Sequence, residues 1–198
     1  MANNHPYVLL IELFKEKNMD LTEKTINNNI LFEGKVLTLC NDDVLLPNGK
    51  TGKREIVKHR GGVCVAPLTE NNELIFVRQY RYAYGEVVLE LPAGKLEKGE
   101  EPLESGKREL KEETGCTADK YTFLGKLYPS PGYTSEVISI YLAEGLHAGE
   151  QSLDEDEFLG TEKIPLEKAV EMVLNNEIYD SKTQVAILKI ASILESRK

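Results

Sequence analysis

The sequence predicts an α/β protein in which a mixed β-sheet is sandwiched between helices. Three observations predict it. β-type runs dominate from Asn29 to Leu91, a helix with clear start and stop signals follows over 101–114, and after two more β-type runs the last third turns helical. The order β, helix, β, helix, helix is the kind that covers both faces of a sheet.

Residues 1–18 differ from the rest of the chain. An Asn-rich start, a short apolar run and Lys15-Glu16-Lys17-Asn18 read either as a short helix or as a disordered extension. Met19 opens a stretch that looks like a more natural start, and residues 19–60 form a β-rich segment ahead of a main domain over 61–198. Within that segment, 30–39 is rich in Val, Leu and Phe. Pro47-Asn48-Gly49-Lys50 is a turn, because Asn-Gly supplies the positive φ angles a tight hairpin needs. Further strands are expected over 55–59, 62–68, 74–81 and 87–91, with Glu70-Asn71-Asn72 as a turn.

Pro92 ends the β pattern. In the helix expected over 101–114, Pro102 suits the first turn, where its missing N–H is not needed. Gly115 suits the position just past the end, where a left-handed conformation is common. Strands return over 121–128 and 137–142. A helix over 165–175 carries Leu166, Ala169, Val170, Val173 and Leu174 along a stripe. A last helix over 181–196 has Asp180 or Ser181 as its cap.

Composition narrows the function. The chain has 198 residues, 41% of them hydrophobic, enough to bury a core without covalent staples. A formal charge of −9 repels nucleic acid and anionic lipid. An anionic substrate therefore needs a local attraction, and a bound divalent cation is one answer. The cysteines, Cys40, Cys64 and Cys116, are odd in number and well separated, which argues against a disulfide framework or a zinc cluster and fits a reducing cytoplasm. The longest apolar candidate, 7–14, is interrupted by Glu12 and falls far short of the roughly 20 residues of a membrane span. It also lacks the basic leader of a signal peptide.

One helix is hard to explain by structure alone. Glu109, Glu112 and Glu113 fall at i, i+3 and i+4, within an arc of roughly 100°. Like charges at this spacing repel, and they sit in the half of the helix where the macrodipole disfavours carboxylates. A solvated acidic face, offset by Lys107 and Lys111, is one account. A divalent cation bound across the three carboxylates is the other. The surroundings favour the second. From Gly94 the sequence runs five residues to Glu100, seven more to Arg108-Glu109-Leu110, then Lys111, Glu112-Glu113, Thr114, Gly115 and Cys116. This resembles the Nudix box, G-x5-E-x7-R-E-U-x-E-E-x-G-U with U a bulky apolar residue. Every fixed position matches, and only Cys116 is an unusual choice.

The resemblance implies a Nudix fold and metal-dependent hydrolysis of a diphosphate. It implies Glu109, Glu112 and Glu113 as metal ligands, with the backbone carbonyl of Ala93 as another. More than one ion is implied, Mg²⁺ with Mn²⁺ as substitute. Mg²⁺ prefers oxygen ligands and bridges carboxylates to phosphates. Arg108 is expected to orient a box glutamate, and with Glu112 it counts among the catalytic residues.

Other segments resemble the ADP-ribose pyrophosphatase subgroup. Pro131, in the run Tyr128-Pro129-Ser130-Pro131-Gly132-Tyr133, lies sixteen residues after Gly115, the subgroup's spacing. Val77-Arg78-Gln79-Tyr80-Arg81 and Glu90-Leu91-Pro92-Ala93-Gly94 are also similar. There Arg81 and Glu90 would contact the nucleotide end, although an ion pair between strands explains the same two residues. The acidic run from Leu153 to Phe158 is similar to a loop that carries a general base, which places the base at Glu155 and an extra metal ligand at Glu157. Glu157 as base is the alternative. Glu177-Ile178-Tyr179-Asp180-Ser181-Lys182-Thr183 before an apolar helix completes the likeness. Members of the subgroup are typically homodimers that exchange N-terminal strands. The expectation is hydrolysis of a nucleoside diphosphate sugar, with ADP-ribose leading. GDP-mannose, or a non-catalytic regulator that binds ADP-ribose, are the alternatives.

Overall fold

The computed structural model describes residues 20–153, 155 and 157–196. The expected extension over 1–18 lies outside them. The chain divides into two compact units. One comprises Thr38–Ile56 with the residues before Gly34, and the other comprises Gly34–Leu37 with Val57 onward.

In the first unit, β1 (Lys24–Asn27) and β2 (Ile30–Glu33) both pair antiparallel with β3 (Leu37–Leu45), which also pairs with β4 (Thr51–His59). The single run expected over 30–39 is thus two strands. The break falls at Gly34, whose N–H donates to Leu37 O at 2.9 Å and turns the chain back. The expected hairpin turn forms between β3 and β4, with Leu46 N–H donating to Lys50 O at 2.8 Å.

The second unit carries two sheets rather than one. A mixed sheet runs in the order β8 (Ala93–Lys95), β5 (Gly62–Pro67), β10 (Ile138–His147), β9 (Thr117–Leu127). Its β5–β10 pair is parallel and its other pairs are antiparallel. A separate antiparallel sheet runs β11 (Leu159–Pro165), β6 (Glu73–Arg81), β7 (Glu86–Glu90). β1, β8 and β11 have no counterpart among the expected strands. Each is short or polar, and its pairing depends on a distant partner rather than on local propensity.

Alternation along β5 sends its side chains to two cores. Val63 and Val65 pack with Leu110 and Cys116 of the box segment. Cys64 and Ala66 pack with Ile140, Leu142, Ala186, Ile187 and Ile190. Helix α1 (Pro102–Thr114) therefore covers one face of the mixed sheet and α3 (Ser181–Glu195) the other, as expected from element order. Helix α2 (Leu166–Leu174) buries Leu166, Ala169 and Val173 and packs against α3 and β11, while Leu174 at its end is exposed.

The ends of the helices are chemically specified. Pro102 opens α1, and Gly115 closes it at φ 73°, donating its N–H to Lys111 O. Asp180 caps α3, its carboxylate accepting from Thr183 N–H at 2.9 Å. Such a cap stabilises by about 1 kcal/mol.

Candidate active site

Helix α1 presents its three box carboxylates in different surroundings. Glu113 is 2% exposed and Glu109 8%, while Glu112 is partly open. A solvated acidic face would leave all three in water. Here two of the three are buried. The reason lies opposite, where the β7–β8 connection and β8 close over the helix. Ala93 N–H donates to Glu113 Oε2 at 3.1 Å. A Cβ at Gly94 would collide with the Glu109 carboxylate, so the glycine leaves the space that this side chain fills. The small residue at the start of the box is thus explained by the acid fifteen positions later.

Arg108 is the hub on the outer side of this face. Its Nε and Nη2 donate to the two oxygens of Glu100 at 3.0 and 3.1 Å. Its Nη1 donates to Glu109 Oε1 at 2.8 Å and to Glu112 Oε2 at 2.9 Å. The guanidinium holds the Glu100 carboxyl down at about 2. Glu113 has no such cation bonded to it. Burial, with Glu109 and Glu157 adding negative charge, pushes its carboxyl up to about 8, against the pull of the Ala93 N–H. Burial also pushes Glu109 up, with Arg108 opposing and Glu112 and Glu157 adding to it.

A cation supplied from outside would relieve this imbalance. Two buried acids share one face with backbone closing over them, and Arg108 bonds to Glu109 but not to Glu113. Among the described residues, no three acid, imidazole or thiol side chains already converge as ligands around one point. Arg108 instead draws Glu109 and Glu112 to itself. The donor set, all carboxylate oxygens, fits a hard divalent ion.

The acidic segment after β10 is tied to the end of α1. Gln151 Nε2 donates to Glu113 O at 2.5 Å, and Ser152 N–H donates to Glu112 O at 3.0 Å. A side chain at Gly115 would strike Gly149 O at 2.5 Å, so glycine is needed there for close approach as well as for its positive φ. Glu157 lies near enough for its charge to act on both Glu109 and Glu113, whereas Glu155 sits exposed in a turn.

Arg81 and Glu90 form an ion pair between β6 and β7, with bonds of 2.6 and 2.7 Å. Glu90 is not at the surface, being 2% exposed. Burial opposes its ionisation, but Arg81 and Lys182 outweigh burial and hold its carboxyl below the ordinary range. Arg81 also acts electrostatically on Glu113, so the pair borders the box acids. Pro131 is exposed in a turn in which Thr134 N–H donates to Ser130 O at 3.2 Å, and Thr134 bridges to Val57 of β4.

Sequence reasoning missed Lys182 and Gln151, and it saw Asp180 as a cap but not as a partner of Lys182. Lys182 stands in a segment whose likeness was visible but whose side-chain contacts were not. Gln151 carries no signal in a single sequence.

A NUDIX domain profile matches residues 58–184. The chain belongs to the Nudix family of enzymes. It is 47% identical over 182 residues to a Bacillus subtilis (strain 168) protein named ADP-ribose pyrophosphatase, covering 90% of this chain and 98% of that one. It is 45% identical over 167 residues to the methanol dehydrogenase activator of Bacillus methanolicus, covering 83% of this chain and 90% of the relative. A solved structure described as an ADP compounds hydrolase superposes with a TM-score of 0.80 at 25% identity, covering 92% of this chain and 98% of that one.

Proposed function

We propose that this chain hydrolyses the diphosphate bond of ADP-ribose, with water attacking one phosphorus and AMP and ribose 5-phosphate leaving. The observation that carries the reading is the adjacency of two unlike surfaces. Glu113, a buried acid with no cation bonded to it among the described residues, adjoins the Arg81–Glu90 pair. The first suits metal-bound phosphates and the second the nucleotide end. The similarity to an ADP-ribose pyrophosphatase along 98% of its length supports the choice of substrate.

Glu109, Glu112 and Glu113 would hold the cations, with the Ala93 carbonyl and Glu157 as further ligands. Bound Mg²⁺, or Mn²⁺ in its place, more than one ion in all, supplies charge neutralisation of the diphosphate and acidification of water. Arg108 orients Glu109 and Glu112 through its Nη1. Arg81 offers a guanidinium for a phosphate oxygen or the face of adenine. Glu90 accepts from an amino or ribose hydroxyl group, and Pro131 shapes the loop beside it. Glu155 takes the proton of the attacking water.

Residues 19–60 are assigned to homodimer formation. Every residue of β1 and β2 is exposed, including Ile26, Ile30, Leu31 and Phe32. Three buried free thiols suit a reducing cytoplasm. No helix among the described residues is long and apolar enough to cross a membrane.

Phosphate release in a phosphatase-coupled assay tests the reading. ADP-ribose, GDP-mannose, NADH and diadenosine polyphosphates are compared, each with Mg²⁺ and with a chelator. Chelator-sensitive turnover fastest on ADP-ribose is expected. Faster turnover of GDP-mannose would discard the roles given to Arg81, Glu90 and Pro131.

A further inference from the structure

The first turn of α3 grips the strand that leads into the metal face. Thr183 Oγ1, fully buried, accepts from Leu91 N–H at 2.8 Å. Lys182, 8% exposed, places its ammonium on Glu90 Oε2 and on Asp180 Oδ1, the latter at 2.9 Å. Glu90 also accepts from Arg81, one oxygen from Nε and the other from Nη2. The result is a chain of alternating charge, Asp180, Lys182, Glu90, Arg81. Its middle members, Lys182 and Glu90, are buried, and it ends at a guanidinium that is more than one-third exposed.

Burying a lysine ammonium costs several kcal/mol unless its partners compensate. A cap for α3 would need only Asp180, and a staple to β7 would need only Thr183. Neither accounts for Lys182. What Lys182 adds is a second cation on Glu90, which fixes that carboxylate independently of Arg81. Arg81 has many rotamers, and a bidentate partner fixed from behind selects one of them.

We infer that Lys182 is a positioning residue for substrate. It locks Glu90, and through Glu90 it presents the Arg81 guanidinium to the diphosphate or base. This deepens the proposed function and rests on its assignment of Arg81.

The test is steady-state kinetics on ADP-ribose with Mg²⁺ for the full chain, Lys182→Met, Arg81→Ala and the double variant, with thermal unfolding of each. Each single variant is expected to raise KM about tenfold while kcat stays within about twofold, the mark of lost binding rather than lost chemistry. The double variant is expected to match Arg81→Ala alone, because the guanidinium is the group that Lys182, through Glu90, presents to the substrate. An unchanged KM in Lys182→Met, whatever its melting temperature, would overturn the inference. So would effects that multiply in the double variant. If Lys182→Met does not fold, Lys182→Gln, which keeps a donor toward Glu90, enters the same cycle and is expected to raise KM by a smaller factor that again disappears without Arg81. An unchanged KM for Lys182→Gln would overturn the inference in the same way. A normal KM in Arg81→Ala would instead overturn the parent assignment and this inference with it. A raised KM there, beside a normal one in Lys182→Met, overturns this inference alone.

Discussion

Glu90 and Glu113 are equally buried, each 2% exposed, yet their carboxyls shift in opposite directions. Glu90 lies below the ordinary range because Arg81 and Lys182 are bonded to it. Glu113 is raised to about 8 because burial, aided by Glu109 and Glu157, outweighs one backbone N–H and the more distant charge of Arg81. The fold could have neutralised both. It completes the charge balance at the start of α3 and leaves it incomplete on α1. An internally balanced carboxylate is a fixture, whereas an unbalanced one is a receptor for positive charge from outside.

The comparison can be broken most forcefully at Glu113. Glu113→Gln is expected to lower kcat/KM by at least about 100-fold, as loss of a metal-site group does. Its melting temperature without metal should hold or rise, because a desolvated acid has been removed. A variant with near-normal turnover would remove Glu113 from the metal site. At Glu90 the balance is internal, so its disruption should appear first in stability. Lys182→Met leaves Glu90 with Arg81 as its bonded cation and takes the ammonium from Asp180, and it should cost about 1–3 kcal/mol in urea unfolding, with the full chain as reference. A loss below about 1 kcal/mol would mean that the buried pair contributes no more than a surface one.

A pH experiment sharpens the same contrast. In the metal-free folded chain Glu113 keeps a proton that the unfolded chain has already lost. Between the ordinary carboxylic range and about 8 the unfolded state therefore binds fewer protons, and stability falls as pH rises. Mg²⁺ supplies the missing charge, so its stabilising effect should be larger at pH 8 than at pH 6. Differential scanning fluorimetry with and without Mg²⁺ checks this, and equal gains at both pH values would count against it. The smallest effect is expected at Gln151. Its side chain ties the acidic segment to the last turn of α1, and Gln151→Ala should lower kcat about fivefold, in line with one hydrogen bond of about 1 kcal/mol. An unchanged kcat would show that the Ser152 N–H bond and the Gly115–Gly149 contact hold the segment without it.

Much of the α1 face was legible in the sequence because its logic is local. Glu109, Glu112 and Glu113 are placed on one side by helical geometry alone, and Pro102 and Gly115 mark where that helix begins and ends. Arg108 reaches Glu112 one turn away for the same reason. The strands were less legible. β5 and β6 announce themselves by apolar residues, but β8 and β11 exist only because another strand lies beside them, and the separation into two sheets follows from those pairings.

The amino-acid sequence by itself determined the spacing of the box, the helix that displays it and the anionic character of the whole chain. Periodicity and composition need no distant partner. The tertiary structure alone decided that two of the box acids would be buried, since backbone at Ala93 and the bare Cα of Gly94 close over them. It alone decided that Lys182 would meet Glu90 across 92 residues of sequence. Charge balance in a protein interior is a property of what lies within a few ångströms, and that neighbourhood is assembled only when the sheets and helices pack.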